Sequence, residues 1–302
     1  MPKDITEQLI DVVRSAVTPL QFTPPKPVSF GKEKGDEEQA VLMLSDWHLG
    51  EKNSKYNLRI ARQRIERLMN STMLITALHR KVYPVKILNI FWLGDIVSGE
   101  SIFPSQPHEI EVGVVDQIFQ SVPCVVEQLA RLCGFFQEVR CTTVNGNHGR
   151  LGKFANKLSN FDRVFYETMR AATTGIPNLN WDITPDWHFQ TRVLSTRFLG
   201  IHGSQIKIHL NLPWYGLTTR AGRWAITEGL GGFDIMVLGH FHSSSRIRWN
   251  NKIILTNGTL VDGDEFALEK MGLESSQCQW FFGVHPRQGL TWSYEIHLNK
   301  VR

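Results

Sequence analysis

The chain has 302 residues, 42% of them hydrophobic and 21% charged, with a formal net charge of +4. These proportions describe a globular protein with a full core and exclude a disordered, collagen-like or disulfide-scaffold chain. The slight basic excess is compatible with a phosphate-bearing partner but is too small to indicate one by itself.

Ile5, Leu9, Val12 and Val13 recur at helical spacing, predicting a short amphipathic helix. The proline-, glycine- and charge-rich stretch TPPKPVSFGKEKGDEEQA follows, so residues 1–40 are expected to be an N-terminal helix and linker and 41–302 one domain. From residue 41, short apolar runs alternate with amphipathic stretches, which predicts an α/β architecture. VLMLS is a strand, and residues 57–82 a helix with Arg59, Arg62, Arg64 and Arg67 on its solvent side. VKILNIFWL is the next strand, 109–136 the next helix, VRCTTVN a third strand, and about Phe154 to Ala172 a further helix. A β-rich stretch runs through residue 201, then an insertion ends in a helix near 220–230. FDIMVL, SRIRWN and KIILT are further strands, and QWFFGVH and LTWSYEIHL form a hairpin across PRQG.

Cys124, Cys133, Cys141 and Cys278 form no C-x-x-C pair and read as reduced, buried thiols of a cytosolic protein. The N-terminal MPKDITEQ carries acids where a signal peptide is apolar. No apolar run approaches the roughly 20 residues of a membrane span. A cytoplasmic protein with no membrane partner is expected.

The residues that follow the apolar runs carry the chemistry. VLMLS is followed by Asp46 and His48, IFWLG by Asp95, TTVNG by Asn147 and His148, RFLGI by His202, and IMVLG by His240 and His242. Ligands of α/β sheets bind beyond the carboxyl ends of the strands, so one rim could gather all of these side chains. Oxygen and imidazole donors without thiolates suit Mn²⁺, Fe or Zn²⁺ and disfavour a structural zinc. Even with one of these eight set aside, seven donors exceed one tetrahedral ion and predict two. Two carboxylates and a hydroxide bring about −3 against +4 from two divalent ions, a centre that attracts phosphate. A second Asp-Trp-His, PDWHFQ at 185–190, precedes its strand. Asp186 is therefore expected at the wrong end to join the site, and His188, alternating with Gln190 and Arg192 opposite Trp187, Phe189 and Val193, on the polar face.

With DWH at 46–48, GDIVS at 94–98, GNHG at 146–149, HG at 202–203 and GHFH at 239–242, the chain resembles the calcineurin-like metallophosphoesterases. The match covers roughly residues 41–260. The resemblance implies a β-sandwich of mixed sheets flanked by helices, in four α/β/β/α layers. It implies Asp46, His48 and His242 on one metal, Asn147, His202 and His240 on the other, and Asp95 bridging both. Mn²⁺ is the expected ion, with Fe, Zn²⁺ or Mg²⁺ as alternatives. A metal-bound hydroxide would attack the phosphoester, and His148 would stabilise the phosphoryl charge or protonate the leaving oxygen.

Two positions depart from the family pattern. Ser98 stands where an Asp often orients the catalytic histidine, and Gly149, followed by Arg150, replaces the acid after G-N-H. Another group would then orient His148, and Glu100 is a nearby candidate. These departures, and the stretches SDWHLG and GNHGR, resemble the SbcD-type and phage nuclease branch. They imply a DNA phosphodiesterase of a bacterial or phage-infected cell. An SMC-like ATPase partner is conceivable, although no docking region is evident. A phosphomonoesterase or small-nucleotide phosphodiesterase, or a non-catalytic binding module, are the alternatives. Trp214 and Tyr215, interleaved with Arg220 and Arg223, could stack bases and meet phosphates, or could be an ordinary helix with core aromatics and surface arginines. Arg150 could clamp a substrate phosphate or be structural.

Overall fold

The computed structural model describes residues 5–17, 36–156, 158–208, 213–263 and 275–299. Most of the expected linker, and His209, lie outside the described residues. Sixteen regular elements follow in order: α1 (Ile5–Ala16), β1 (Glu38–Leu44), α2 (Leu58–His79), β2 (Val85–Trp92), α3 (Val114–Phe135), β3 (Glu138–Thr143), α4 (Phe161–Ala172) and β4 (Leu179–Ile183); then β5 (His188–Val193), β6 (Thr196–Ile201), α5 (Trp214–Ala225), β7 (Ile235–Leu238), β8 (Ser245–Trp249), β9 (Lys252–Thr256), β10 (Cys278–His285) and β11 (Gly289–His297).

They build two mixed sheets flanked by helices. The first is ordered β11-β10-β1-β2-β3-β4, with β1 to β4 parallel and β10 antiparallel to β1. The second is ordered β5-β6-β7-β9-β8, with β6, β7 and β9 parallel. Strand side chains alternate between faces, and the core divides accordingly. Leu42, Leu44, Ile90 and Trp92 face the layer of α2, α3 and α4. Val41, Met43, Phe91 and Leu93 meet Phe198, Ile235 and Val237 between the sheets. Leu199, Ile201, Met236 and Leu238 face Leu217, Ala221 and Trp224 of α5. This is the four-layer sandwich expected from the sequence. Among the described residues, no helix is long and apolar enough to cross a membrane.

Several boundaries differ from the expected ones. Helix α3 starts at Val114 rather than 109, because Ile110 bridges to Glu51 and the Glu111 N–H donates to Gly50 O (2.7 Å). Helix α4 starts at Phe161 rather than 154, capped by the Asn160 carboxamide, which accepts from the Asp162 N–H (2.8 Å). Helix α5 covers 214–225 rather than 220–230, because Leu217, Ala221 and Trp224 are the residues whose spacing buries one face. Arg64 was expected in solvent with its neighbours but lies on the stripe of Ala61, Ile65 and Leu68 and is 8% exposed. Its guanidinium donates to Leu260 O and, at 2.6 Å, to Asp262 Oδ2 and Asn299 Oδ1.

Candidate metal centre

The parallel strands β1, β2 and β3 of one sheet and β6 and β7 of the other end at a common edge. Their loops interlock there: the Asp46 N–H donates to Gly94 O and the His48 N–H to Asp95 O, both at 3.0 Å, and the Gly239 N–H to His202 O at 2.9 Å. His202 Nδ1 donates to Leu93 O (2.8 Å), which ties the second sheet to the first. Sharp exits leave Asp46, His48, Asp95, His240 and His242 in the left-handed region, with φ between 44° and 72°. That conformation costs an L-residue roughly 1–2 kcal/mol, and such residues concentrate where function holds the backbone. Among the described non-glycine residues, only Leu194 and Asn250 join them.

Three overlapping groups of donor atoms result, each within 4.8 Å: Asp46, His48 and His242; His48, Asp95 and His148; Asp95, His202 and His240. Asp95 belongs to two of them. Asn147 adds an oxygen, with Oδ1 2.9 Å from His202 Nε2, and Asp95 Oδ2 is 3.0 Å from the same nitrogen. His48 Nε2 and His242 Nε2 point at each other across 3.1 Å, and the second lies 3.5 Å from Asp46 Oδ1.

This donor set fits divalent ions. Imidazole nitrogens and carboxylate oxygens converge without thiolates, a set suited to Mn²⁺, Fe or Zn²⁺. A ligating histidine usually donates its other ring N–H to a carbonyl or carboxylate. His202 does so to Leu93 O, which turns Nε2 inward, whereas His48 Nδ1, with Glu51 Oε2 3.7 Å away, has no hydrogen-bond partner among the described residues. Asp46 and Asp95 are 0% and 1% exposed. Among the described residues they form ion pairs only with histidines, so the charge of bound cations would be directly useful there.

The electrostatics follow from burial and mutual proximity. Burial disfavours the His202 imidazolium, but the Asp95 carboxylate beside it raises the pKa to about 9. Burial likewise disfavours the Asp95 anion, yet His202 and His148 hold its pKa well below the ordinary value. Burial and then His202 take His240 down to about 3. Burial also lowers His148, partly countered by Asp95.

The partner of His148 is corrected. Glu100 Oε2 accepts from the Val114 N–H (3.2 Å) and serves the start of α3. The residue beside the His148 ring is Gln106, whose Nε2 lies 3.3 Å from Nδ1. Gly149 has a reason of its own: a Cβ there would come within 2.6 Å of Asn160 Oδ1, which leaves no room for an acidic side chain.

Sequence reasoning missed Asp162. This fully buried carboxylate accepts from the N–H groups of Asp95 (2.8 Å), Ile96 (3.0 Å), Val97 (3.1 Å) and Gly146 (2.8 Å). It thereby clamps together the loops that carry Asp95 and Asn147. Asn160 reinforces the clamp, donating to Gly146 O (2.8 Å). Gly146 itself cannot carry a side chain, because a Cβ would stand 2.0 Å from Asp95 Oδ1. The available signal was the helix-capping pattern Asn160-Phe161-Asp162, obscured by the expectation of a longer helix.

The expected substrate contacts are less concentrated. Arg150 pairs its backbone with Asn160, and its buried Nε has no hydrogen-bond partner among the described residues. Trp214 and Tyr215 are 38% and 71% exposed at the first turn of α5. Arg220 lies over the Trp224 ring (5.9 Å), and Arg223 is exposed.

The second Asp-Trp-His also needs a corrected reason. Strand β5 is antiparallel to β6, so His188 pairs with Ile201, directly before His202. It is thus at the same edge as the site, not the opposite one. Opposed residues share a face of the sheet and neighbours alternate, so His188 is on the α5 side with Ile201 while His202 faces away. Trp187 packs on Trp224 there, and His188 belongs to none of the three donor groups.

No protein-family model and no curated protein matches this sequence. Among solved structures, the chain is similar to an archaeal phosphodiesterase (10% identity, 85% of this chain and 99% of that one, TM-score 0.39). It is also similar to a predicted phosphoesterase from Streptococcus pneumoniae (12% identity, 86% and 98%, TM-score 0.33). A third similarity is to vacuolar protein sorting 29 from Cryptosporidium parvum (13% identity, 86% and 97%, TM-score 0.40). At such scores, the chemistry of this chain has to be read from its own side chains.

Proposed function

We propose that this protein is a metal-dependent phosphoesterase that hydrolyses phosphodiester bonds of nucleic acid, DNA in particular, with two divalent ions, Mn²⁺ first among them. The observation that carries the reading is that Asp95 lies within donor distance of His48 in one group and of His202 and His240 in another, so its carboxylate can reach both ion positions. Asp46, His48 and His242 would hold one ion; Asn147, His202 and His240 would hold the other. Bound there, the ions would supply Lewis-acid polarisation of the phosphoryl group and activation of water. The protein's part is to hold seven donors on a stiff edge and to exclude cations of the wrong geometry. His148, its backbone N–H donating to Asp95 Oδ1 (2.8 Å), stands beside His48 at 4.5 Å between ring centres. From that place its ring can hydrogen-bond an oxygen that gains charge during bond cleavage.

The polymer substrate rests on lesser support: the resemblance noted in the sequence, the exposed Trp214 and Tyr215, and the basic side chains around α5. The test is hydrolysis with Mn²⁺ of labelled single- and double-stranded DNA beside bis- and mono-nitrophenyl phosphate. Cleavage of DNA and of the diester is expected. Cleavage of the monoester alone would sink the nuclease reading, and no hydrolysis of any of them, with metal bound, would sink the enzyme reading.

A further inference from the structure

The side chain of Gln106 is 3% exposed and has all its polar atoms engaged. Its Oε1 accepts from the backbone N–H groups of Ile102 (2.8 Å) and Phe103 (3.1 Å). Those groups only donate, so this end of the amide is oxygen. Its Nε2 lies 2.6 Å from Ser98 O and 3.3 Å from His148 O, which only accept, so this end is nitrogen. Four backbone groups therefore settle the orientation of the amide without reference to the histidine.

The same Nε2 is 3.3 Å from His148 Nδ1. An amide NH₂ facing a ring nitrogen is compatible with a lone pair there; a protonated Nδ1 would set donor against donor. A neutral imidazole with a lone pair on Nδ1 carries its proton on Nε2. The Phe103 ring, 4.8 Å from the imidazole centre and tilted by 49°, packs on it, and the Phe103 N–H is one of the two that hold Gln106. One short loop thus both fixes the amide and covers the ring.

We propose that Gln106 is the positioning residue of His148 and holds it as the Nε2–H tautomer, so that His148 meets a phosphoester with its Nε2–H as hydrogen-bond donor. The tautomer follows from the loop alone; its use on a phosphoester rests on the function proposed above. A carboxylate in this place would accept from Nδ1–H and favour the opposite tautomer. The amide reverses that preference and leaves the ring's N–H on Nε2, from which it can donate to a developing oxyanion.

The test is a long-range proton–nitrogen correlation spectrum of protein labelled at histidine nitrogen. It would be recorded at one near-neutral pH, metal-free and zinc-loaded, with His148 assigned by its loss in His148→Asn. The expected result is an unprotonated-type Nδ1 and a proton-bearing Nε2 in the wild type. In Gln106→Glu, Nδ1 should gain the proton, and kcat should fall roughly tenfold or more with little change in KM, as for loss of other outer partners. A protonated Nδ1 in the wild type overturns the proposal, whatever the variant does. The expected tautomer in a protein that hydrolyses no phosphoester would leave this inference standing and sink the functional one.

Discussion

Asp162 shows how much one buried carboxylate can do without touching a ligand position's side chain. It satisfies four backbone N–H groups in the two loops that present Asp95 and Asn147. Burial, then the neighbouring Asp95, raises its pKa to about 6. Asp162→Ala would orphan those four donors, and each buried unsatisfied group costs about 1–3 kcal/mol. A loss of at least about 3 kcal/mol is expected, read as a lower urea midpoint at unchanged slope. A midpoint equal to wild type would refute the clamp. At the site, Asp95→Asn should abolish turnover and leave fewer bound metals per chain by elemental analysis. His148→Ala should keep the full metal complement and lose about 10²–10³ in kcat, as for the loss of one oxyanion donor. Full activity in His148→Ala would remove that residue from the chemistry.

At the scale of elements, the loops at the strand ends do the positioning and the layers make them stiff. Helix α5 buries Leu217 and Ala221 against the second sheet, so Leu217→Ala should cost about 2–5 kcal/mol. A change below about 0.5 kcal/mol, the usual size of a surface effect, would show that α5 is not seated as described. The cysteines report on the same packing. Burial pushes Cys133 and Cys278 up to about 12 and raises Cys141 as well, while Cys124 is only half-buried. A thiol reagent should therefore modify Cys124 first in the native protein and all four after denaturation. Rapid native modification of Cys141 would mean that the β3 layer opens readily.

For the whole molecule, ligation across two sheets means that metal binding and folding are linked. Mn²⁺ at about 100 times its dissociation constant should add about 2.7 kcal/mol of stability per bound ion, seen as a higher melting temperature that a chelator reverses. No shift with saturating Mn²⁺, Zn²⁺ or Fe²⁺ would count against a metal centre. Acid sensitivity has a separate local source in Arg197, which donates from its backbone N–H and both Nε and Nη2 to Asp234. Burial opposes the Asp234 anion, but the Arg197 contacts win and lower its pKa. Its contribution is therefore present above the ordinary carboxylate pKa of about 3.9 and lost as pH falls through the lowered one. Asp234→Asn should cost no more than about 1 kcal/mol near neutrality, since the pair is half-exposed. The two stability curves should converge at strongly acid pH; a gap that persists there would implicate something other than this ion pair.

The α/β class, the strands and the residues at their carboxyl ends were legible in the sequence, because apolar periodicity and short local motifs carry them. A strand's period is local, and so is the residue that follows it. Three things were decided only in three dimensions. Gln106, not Glu100, faces His148; Asp162 clamps two loops; and Arg64 turns inward to Leu260 and Asp262. Each is a contact between segments distant in the chain, and no local pattern encodes such a partner. The two Asp-Trp-His stretches make the same point. The end of the strand does not separate Asp46 and His48 from His188, because antiparallel pairing brings both to one edge. The face does: the alternation that sets His188 opposite Phe189 and Val193 was legible, but what covers that face was decided only once the strands had paired and the layers had closed.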